Sequence, residues 1–238
     1  MSLRIALVTG SSRGLGRAIA LRLAAEASGV AVHYLTRREE AQEVAAAIRG
    51  QGKMAAIFRA DLSKKAQAAG LIRKVEEKFG RIDILVNNVG PFLVKPWDRL
   101  EVADWEHVLR GNLLSSYFCI KAALPGMRKR GWGRIINIGY SRAEQLRSFP
   151  TITPYAAAKT ALLILTRTAA VAEAKNGITV NMVSPGLIKG GVLPQVRELS
   201  DSQLGTSSDV AEAVDYLTSD RAAAITGTNL VVAGTWKM

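Results

Sequence analysis

Short apolar runs alternate with longer amphipathic segments along the chain. The short runs have the length and the β-branched content of buried strands, whereas the longer segments place apolar residues at helical spacing. The predicted strands are residues 5–9, 30–35, 54–59, 82–86, 134–138, 178–183 and 229–232. The predicted helices are residues 18–27, 39–49, 66–79, 105–124, 154–175 and 208–218.

Strands and helices alternate over residues 1–238 without a composition break or a low-complexity linker. This order predicts one α/β domain with a doubly wound, parallel, seven-stranded sheet and helices on both faces. Ligands of such a sheet bind beyond the carboxyl ends of its strands. Glycine and polar features follow five predicted strands, namely the turn 10–16, Asp61, Asn88, residues 139–141 and Pro185-Gly186. We therefore expect the functional site at this edge of the sheet.

The first predicted strand leads into the glycine turn, Gly10-Ser11-Ser12-Arg13-Gly14-Leu15-Gly16, and a helix follows. Glycines permit a tight turn and a close backbone approach to phosphate, and a helix N-terminus offers free N–H groups. The Gly-x3-Gly-x-Gly spacing is a variant of the general dinucleotide pattern. The turn therefore predicts a pyrophosphate site, and a turn without a ligand is the alternative.

The second predicted strand ends at Thr36-Arg37-Arg38. A dinucleotide site often has an acidic residue here, which holds the ribose hydroxyls. A carboxylate would repel a 2′-phosphate, whereas guanidinium groups bind it, and Arg13 is a further candidate for this contact. The sequence therefore favours NADP(H) over NAD(H), and arginines that are merely solvated are the alternative.

Tyr155 and Lys159 lie four residues apart at the start of the predicted helix 154–175, so both side chains face the same way. A cation beside a phenol favours the phenolate and lowers the phenol pKa from its usual value of about 10. The spacing therefore predicts an acid–base group that works near neutral pH. Surface helices also place Tyr and Lys at this spacing without any chemistry.

The formal net charge of +12 is the unusual feature of the composition. It suits acidic partners, but the basic residues are spread out and aromatic residues are too few for a platform that stacks nucleic-acid bases. The short cluster Arg128-Lys129-Arg130, with Arg134 nearby, either docks an acidic carrier or is a solvated helix C-terminus.

Other features exclude several kinds of site. No apolar run reaches the roughly 18 residues of a membrane span, and His33 and His107 have no partners at metal-binding spacing, so both are expected to be structural. The single cysteine, Cys119, excludes an intrachain disulfide. Together with the absence of a signal-peptide pattern, this favours the cytoplasm.

Taken together, these motifs resemble the short-chain dehydrogenase/reductase family over essentially the full length of the chain. The matching residues are Thr9-Gly10-x3-Gly14-x-Gly16, Asp61, Asn87-Asn88-Val89-Gly90, Asn112, Tyr155-x3-Lys159 and Pro185-Gly186. Within the family, the segments 83–90 and 177–181 are most similar to 3-oxoacyl-acyl-carrier-protein reductases. The resemblance implies a Rossmann-type fold, an NADP(H) cofactor and a carbonyl substrate.

The resemblance also implies a role for each matching residue. Tyr155 protonates the substrate carbonyl, Lys159 lowers the tyrosine pKa and binds the nicotinamide ribose, and Asn112 holds a water that relays protons to Lys159. The residues implied to bind the cofactor are Gly10, Ser12, Arg13, Gly14, Leu15, Gly16, Thr36, Arg37, Asp61, Leu62, Asn88, Gly90, Tyr155, Lys159, Pro185, Gly186 and Ile188. No metal is implied.

The sequence departs from the family pattern in three places. The serine that orients the carbonyl is replaced in strict register by Tyr140, and Ser141, one residue later, is the favoured substitute. Gly190 stands where the family commonly has a threonine beside the nicotinamide amide. The segment of about 189–206 is short for a substrate lid.

The resemblance favours an NADPH-dependent reductase of 3-oxoacyl thioesters, with the substrate on acyl carrier protein as one form. A sugar, steroid or pterin ketone is a second reading, and a cofactor-binding protein with impaired catalysis is a third. The family's usual oligomers bury the helices 105–124 and 154–175, so a homotetramer is expected.

Overall fold

Seven parallel strands form one sheet in the computed structural model, which describes residues 3–189 and 204–234. The strands are β1 (Ile5–Val8), β2 (Gly29–Tyr34), β3 (Met54–Arg59), β4 (Ile84–Asn87), β5 (Gly133–Ile138), β6 (Ile178–Pro185) and β7 (Asn229–Val232). Their order is β3-β2-β1-β4-β5-β6-β7. The strand order reverses between β1 and β4, which are neighbours in the sheet. Sheets of this kind open a ligand crevice at that point.

Helices cover both faces of this sheet. They are α1 (Gly14–Glu26), α2 (Arg38–Gly50), α3 (Lys65–Phe79), α4 (Val102–Leu109), α5 (Ser115–Arg130), α6 (Thr153–Glu173) and α7 (Ser207–Thr218). Alternate residues of β1 enter two separate cores, because successive strand side chains point to opposite faces. Ala6 and Val8 pack in the core beneath α1, α2 and α7, whereas Ile5 and Leu7 pack in the core beneath α3 and α5. The predicted fold class is therefore confirmed.

The segment predicted as one helix over 105–124 is interrupted. It consists of α4, a π-helical turn at Arg110–Leu114, and α5. The predicted end at residue 124 is also wrong, because α5 continues through Pro125 to Arg130. A single π-helical turn inside a helix frequently marks a functional site, and Asn112 lies at its centre.

The structure describes the segment after β5 and Ile188 but only the ends of the predicted lid. Residues 139–152, between β5 and α6, form turns without a helix or strand, as expected. Ile188 forms an isolated parallel bridge with Gly205. Gly190 and most of the predicted lid, about 189–206, lie outside the described residues.

In the described residues, no helix combines the length and the apolar character that a membrane crossing requires.

Candidate active site

A cavity of about 280 Å³ opens beyond the carboxyl ends of the central strands. It is bounded by the glycine turn, the segment after β4, the segment after β5, the start of α6 and the end of β6. Its lining residues are Leu15, Asn88, Gly90, Phe92, Ile138, Gly139, Tyr140, Tyr155, Lys159, Pro185, Gly186, Leu187 and Ile188. The sequence assigned one group of residues to the middle of the cofactor, to the nicotinamide and to the reaction. The fold brings most of this group into one cavity.

The glycine turn has the geometry of a phosphate-binding loop. Gly10 and Gly14 have φ angles of 62° and 53°, in the left-handed region that favours glycine. At Gly16, a Cβ atom would lie 2.2 Å from the Gly10 carbonyl oxygen, so only glycine fits. Helix α1 begins here without a side-chain cap at Arg13 and without an acidic residue in its first turn. Its amino end is therefore suited to an anion.

Hydrogen bonds of three side chains, Thr9, Asn88 and His33, hold the glycine turn in position. The Thr9 hydroxyl donates to the Val86 carbonyl and accepts from the Asn88 backbone N–H at 2.8 Å. The Asn88 amide donates to the carbonyls of Thr9 and Gly10 at 3.0 and 3.1 Å. Asn88, which was expected to contact the cofactor, therefore also fixes the shape of the turn.

His33 is the third support of the turn. Its Nδ1 accepts a hydrogen bond of 2.9 Å from the Gly10 backbone N–H, and its Nε2 lies 3.0 Å from the Ala60 carbonyl. Burial lowers its pKa to about 4, so the ring is neutral near pH 7. His33 was expected to be structural, and its contacts with Gly10 and Ala60 link β2 and the end of β3 to the glycine turn.

The residues expected to bind the adenosine end surround the ends of β2 and β3. Thr36 and Arg37 are exposed, and Arg37 pairs with Glu40 at 2.6 Å. The Ser63 hydroxyl donates to Asp61 at 2.6 Å and lowers the pKa of that carboxyl. Leu62 is 3% exposed and packs in the core, so only its backbone is available to a ligand.

Tyr155 and Lys159 both line the cavity, but their electrostatics differ from the expectation. The Lys159 Nζ donates to the Ile138 carbonyl at 2.7 Å and lies 5.6 Å from the centre of the Tyr155 ring. Burial raises the pKa of Tyr155, and burial lowers the pKa of Lys159 to about 7. The prediction that Lys159 lowers the tyrosine pKa is wrong for this structure, because desolvation disfavours both charged forms.

Asn112 is buried in the π-helical turn behind the cavity. Its Nδ2 donates to the carbonyls of Pro91 and Val108 at 2.9 and 3.1 Å. Its Oδ1 has no hydrogen-bond partner within the described chain. At Gly90, a Cβ atom would lie 2.1 Å from this oxygen, so glycine is needed for Asn112 to occupy its position. An unpaired buried acceptor of this kind suits a bound water.

The cavity wall after β5 is formed by Tyr140. Its ring lies 5.6 Å from that of Tyr155, edge to face. Ser141 donates its backbone N–H to the Pro185 carbonyl at 3.1 Å, and among the described residues it is not part of the lining. The structure therefore brings Tyr140, and not the favoured Ser141, into the cavity.

The basic cluster after the long helix is tied into the fold. Arg128 donates to Glu173 at 2.9 Å, and Arg130 lies 3.3 Å from Asp83. Arg134 is 3% exposed and stacks on Trp132. Arg128 and Arg130 therefore pair with acidic residues that are distant in the chain, whereas Arg128 and Lys129 remain exposed, and docking of an acidic carrier stays a prediction.

Two further parts of the site were not predicted. Phe92 lies with its ring 4.8 Å from that of Tyr155, and Leu187 also lines the cavity. Phe92 follows Gly90-Pro91 after β4, and Leu187 follows Pro185-Gly186 at the end of β6. Their position after these pairs is the feature of the sequence from which they could have been predicted.

In the described residues, no group of three or more His, Cys, Asp or Glu side chains has the arrangement of a metal site.

Known proteins similar to this chain share both its sequence and its fold. Residues 4–200 match the family model of short chain dehydrogenases. A 3-oxoacyl-acyl-carrier-protein reductase, FabG, of Staphylococcus epidermidis is 35% identical over 96% of this chain and 97% of its own. A D-beta-hydroxybutyrate dehydrogenase of Rhizobium meliloti is 33% identical over 98% of each chain.

Solved structures agree with this result. A blue fluorescent protein from a metagenomic library, crystallised with NADPH, is 34% identical, with a TM-score of 0.91 over 99% of this chain and 98% of its own. An acetoin dehydrogenase from Enterobacter cloacae is 29% identical, with a TM-score of 0.89 over 99% and 96%. The chain therefore belongs to the short-chain dehydrogenase/reductase family, whose members are oxidoreductases that act on CH–OH or C=O groups with NAD(P).

Proposed function

We propose that the protein is an NADPH-dependent carbonyl reductase and that 3-oxoacyl thioesters are its leading substrate class. The single observation that carries this proposal is the meeting of Tyr155, Lys159 and the glycine turn around one cavity. A proton donor and a dinucleotide cradle on the same cavity match the two halves of a carbonyl reduction.

The cofactor part of the proposal rests on the glycine turn and the arginines beyond β2. The uncapped amino end of α1 suits the pyrophosphate, and Gly16 allows α1 to begin in close contact with Gly10. Arg13 and Arg37 are both exposed at this end and are assigned to the 2′-phosphate. Asp61, the Leu62 backbone and Thr36 are assigned to the adenosine, and Pro185, Gly186 and Ile188 to the nicotinamide end.

In the proposed reaction, NADPH supplies a hydride to the carbonyl carbon. Tyr155 donates its phenolic proton to the carbonyl oxygen, so the C=O bond becomes a CH–OH group. Lys159 returns a proton to Tyr155, and its pKa of about 7 suits proton exchange near neutrality. Asn112 is assigned to the water that connects Lys159 with solvent, through its unpaired Oδ1.

The thioester assignment is supported by the likeness to FabG, and acyl carrier protein is then the proposed carrier. A specific observation favours a second candidate, a small hydroxyketone or oxo acid. The Tyr140 ring fills space that a serine would leave open, and relatives of similar identity are named for acetoin and D-beta-hydroxybutyrate. A cofactor-binding protein with impaired catalysis is the third candidate, because Tyr140 stands in the serine position.

The assembly and compartment are part of the same proposal. Apolar residues on the outer side of the two long helices remain exposed, among them Tyr117 on α5 and both Ile164 and Val171 on α6. We assign these faces to a homotetramer. The cytoplasm is the proposed compartment, since the one cysteine of the chain is free and buried.

A substrate panel with a Tyr155 variant tests the proposed function. NADPH oxidation is followed with acetoacetyl thioesters, free acetoacetate, diacetyl, and sugar and steroid ketones. The thioester is expected to give the highest kcat/KM, and Tyr155→Phe is expected to lower it by about 10² to 10⁴ because the proton donor is lost. Tyr216→Phe, on exposed α7, is the matched control. Tight NADPH binding without turnover on any carbonyl would favour the third candidate.

The cofactor preference is tested separately. NADPH is expected to give a higher kcat/KM than NADH, and Arg37→Glu is expected to narrow or reverse the difference because it places a carboxylate near the 2′-phosphate. Arg73→Glu, on the exposed side of α3, is the control. A higher kcat/KM with NADH in the wild-type protein would contradict the assignment of Arg13 and Arg37.

A further inference from the structure

Tyr140 lies in the wall of the cavity beside Tyr155. It follows β5 directly, and its ring contacts Tyr155 at 5.6 Å between centroids, with the planes at 67°. Its phenol is close enough to that of Tyr155 to raise the pKa of Tyr155 electrostatically. Two phenols therefore share one cavity.

Phe92 also contacts Tyr155. It packs edge to face on the Tyr155 ring at 4.8 Å between centroids, with the planes at 85°. Phe92 and Tyr140 are therefore two aromatic side chains of the cavity lining that contact Tyr155. Of these two side chains, only Tyr140 carries a hydrogen-bond donor.

Arg142 and Phe149 hold Tyr140 in this position. The Phe149 ring packs on Tyr140 at 6.2 Å between centroids. The Arg142 guanidinium lies near the Tyr140 side chain, where it acts against burial, which raises the pKa of Tyr140. Because a guanidinium has only donors, the Tyr140 oxygen is the acceptor in any hydrogen bond between the two, and the Tyr140 proton stays available to a ligand.

We propose that Tyr140, oriented by Arg142, is a second catalytic hydroxyl that donates a hydrogen bond to the substrate carbonyl oxygen beside Tyr155. The inference rests on the proposed carbonyl reduction and deepens it. Tyr140 transfers no proton: the hydride adds to carbon, Tyr155 gives its proton to oxygen, and the Tyr140 hydrogen bond stabilises the charge that develops on that oxygen.

The same arrangement makes Tyr140 a specificity residue. A phenol ring takes up far more of the cavity than a serine side chain does, and the cavity measures about 280 Å³. The ring therefore restricts substituents next to the carbonyl more than a serine side chain would. Replacement of the ring with a small hydroxylated side chain is therefore expected to enlarge the substrate range.

Four variants test the role of Tyr140. Tyr140→Phe removes only the hydroxyl and is expected to lower kcat/KM with the best panel substrate by about 10², with unchanged NADPH binding and melting temperature. Tyr140→Ser is expected to retain more activity than Tyr140→Phe and to gain activity on bulkier ketones. Ser141→Ala and the surface variant Tyr216→Phe are expected to stay within threefold of wild type. Activity of Tyr140→Phe within threefold, or a large loss in Ser141→Ala, overturns the inference.

A binding measurement separates this inference from the proposed function. Acetamide offers a carbonyl that accepts hydrogen bonds but is not reduced, and its binding to the NADPH complex is followed by cofactor fluorescence. Tyr140→Phe is expected to weaken acetamide binding about tenfold relative to wild type. Equal affinity in both proteins overturns the inference even if no substrate is found. If Tyr155→Phe abolishes reduction while Tyr140→Phe does not alter it, the proposed function stands and the inference fails.

Discussion

His33 is a single buried side chain that supports the glycine turn. Its Nδ1 accepts the Gly10 N–H, and burial lowers its pKa from 6.5 to about 4. Between these two values, the unfolded chain binds a proton that the folded protein does not. The stability supplied by the neutral ring is therefore complete above about pH 6.5 and is lost as the pH falls toward 4.

We expect the free energy of unfolding to fall by about 3 kcal/mol over this range because of His33 alone. The measurement is urea unfolding of wild type and His33→Gln at several pH values from 7.5 to 4. The variant is expected to be less stable at pH 7.5 but to lose less on acidification. His107→Gln, at an exposed position on α4, is the control. An equal acid loss in wild type and His33→Gln would contradict this prediction.

The spacing of Tyr155 and Lys159 predicts where their side chains lie, but it does not predict their pKa values. The four-residue spacing placed both side chains on the same cavity, because that depends only on helix geometry. Their pKa shifts depend instead on burial, which only the packed fold supplies. The amine, with a pKa of about 7, and not the phenol, is therefore the group that titrates near neutrality.

At the scale of elements, the π-helical turn between α4 and α5 determines where Asn112 lies. Gly111 in this turn packs against Pro91, and a Cβ atom there would lie 2.3 Å from the Pro91 Cδ. Pro91 accepts a hydrogen bond from Asn112 and precedes Phe92 in the cavity wall. The turn and the segment after β4 therefore form one packed unit behind the cavity.

Gly111→Ala is expected to disturb this unit. The added methyl group must push Pro91 away, so the free energy of unfolding is expected to fall by about 1 to 3 kcal/mol, and kcat is expected to fall as well. Urea unfolding and steady-state kinetics measure the two effects. Gly70→Ala is the matched control, because nothing lies within 4 Å of its Cβ position and alanine favours helix α3 by about 0.5 to 1 kcal/mol. Equal stability of Gly111→Ala and wild type would contradict the packing argument.

At the scale of the whole molecule, one face presents apolar side chains that a monomer would leave in water. Ile164 and Val171 on α6 are 64% and 82% exposed. Threonines, alanines and the exposed Arg167 lie between them, on a helix that otherwise packs on β6. Exposed apolar surface of this kind is characteristic of an interaction site.

We expect light scattering to give the mass of about four chains, each of 25.6 kDa. Ile164→Glu is expected to reduce this mass, because a carboxylate would be buried without a partner in the interface. Met54→Glu changes an equally apolar, 42% exposed side chain on the edge strand β3 and is expected to leave the mass unchanged. A monomeric wild-type protein would refute the tetramer.

The sequence by itself determined the order of the strands and helices, the glycine turn and the Tyr155–Lys159 pair. These features depend on local rules, namely side-chain periodicity, the backbone freedom of glycine and the spacing of residues on a helix. It therefore also predicted the edge of the sheet at which the site forms.

Only the tertiary structure decided that Tyr140 and not Ser141 lines the cavity, that Arg128 and Arg130 pair with Glu173 and Asp83, and that burial reverses the expected shift of the Tyr155 pKa. In each case the deciding groups are distant in the chain. Loop direction, ion pairing and desolvation are set by neighbours that meet only when the sheet and its helices pack together.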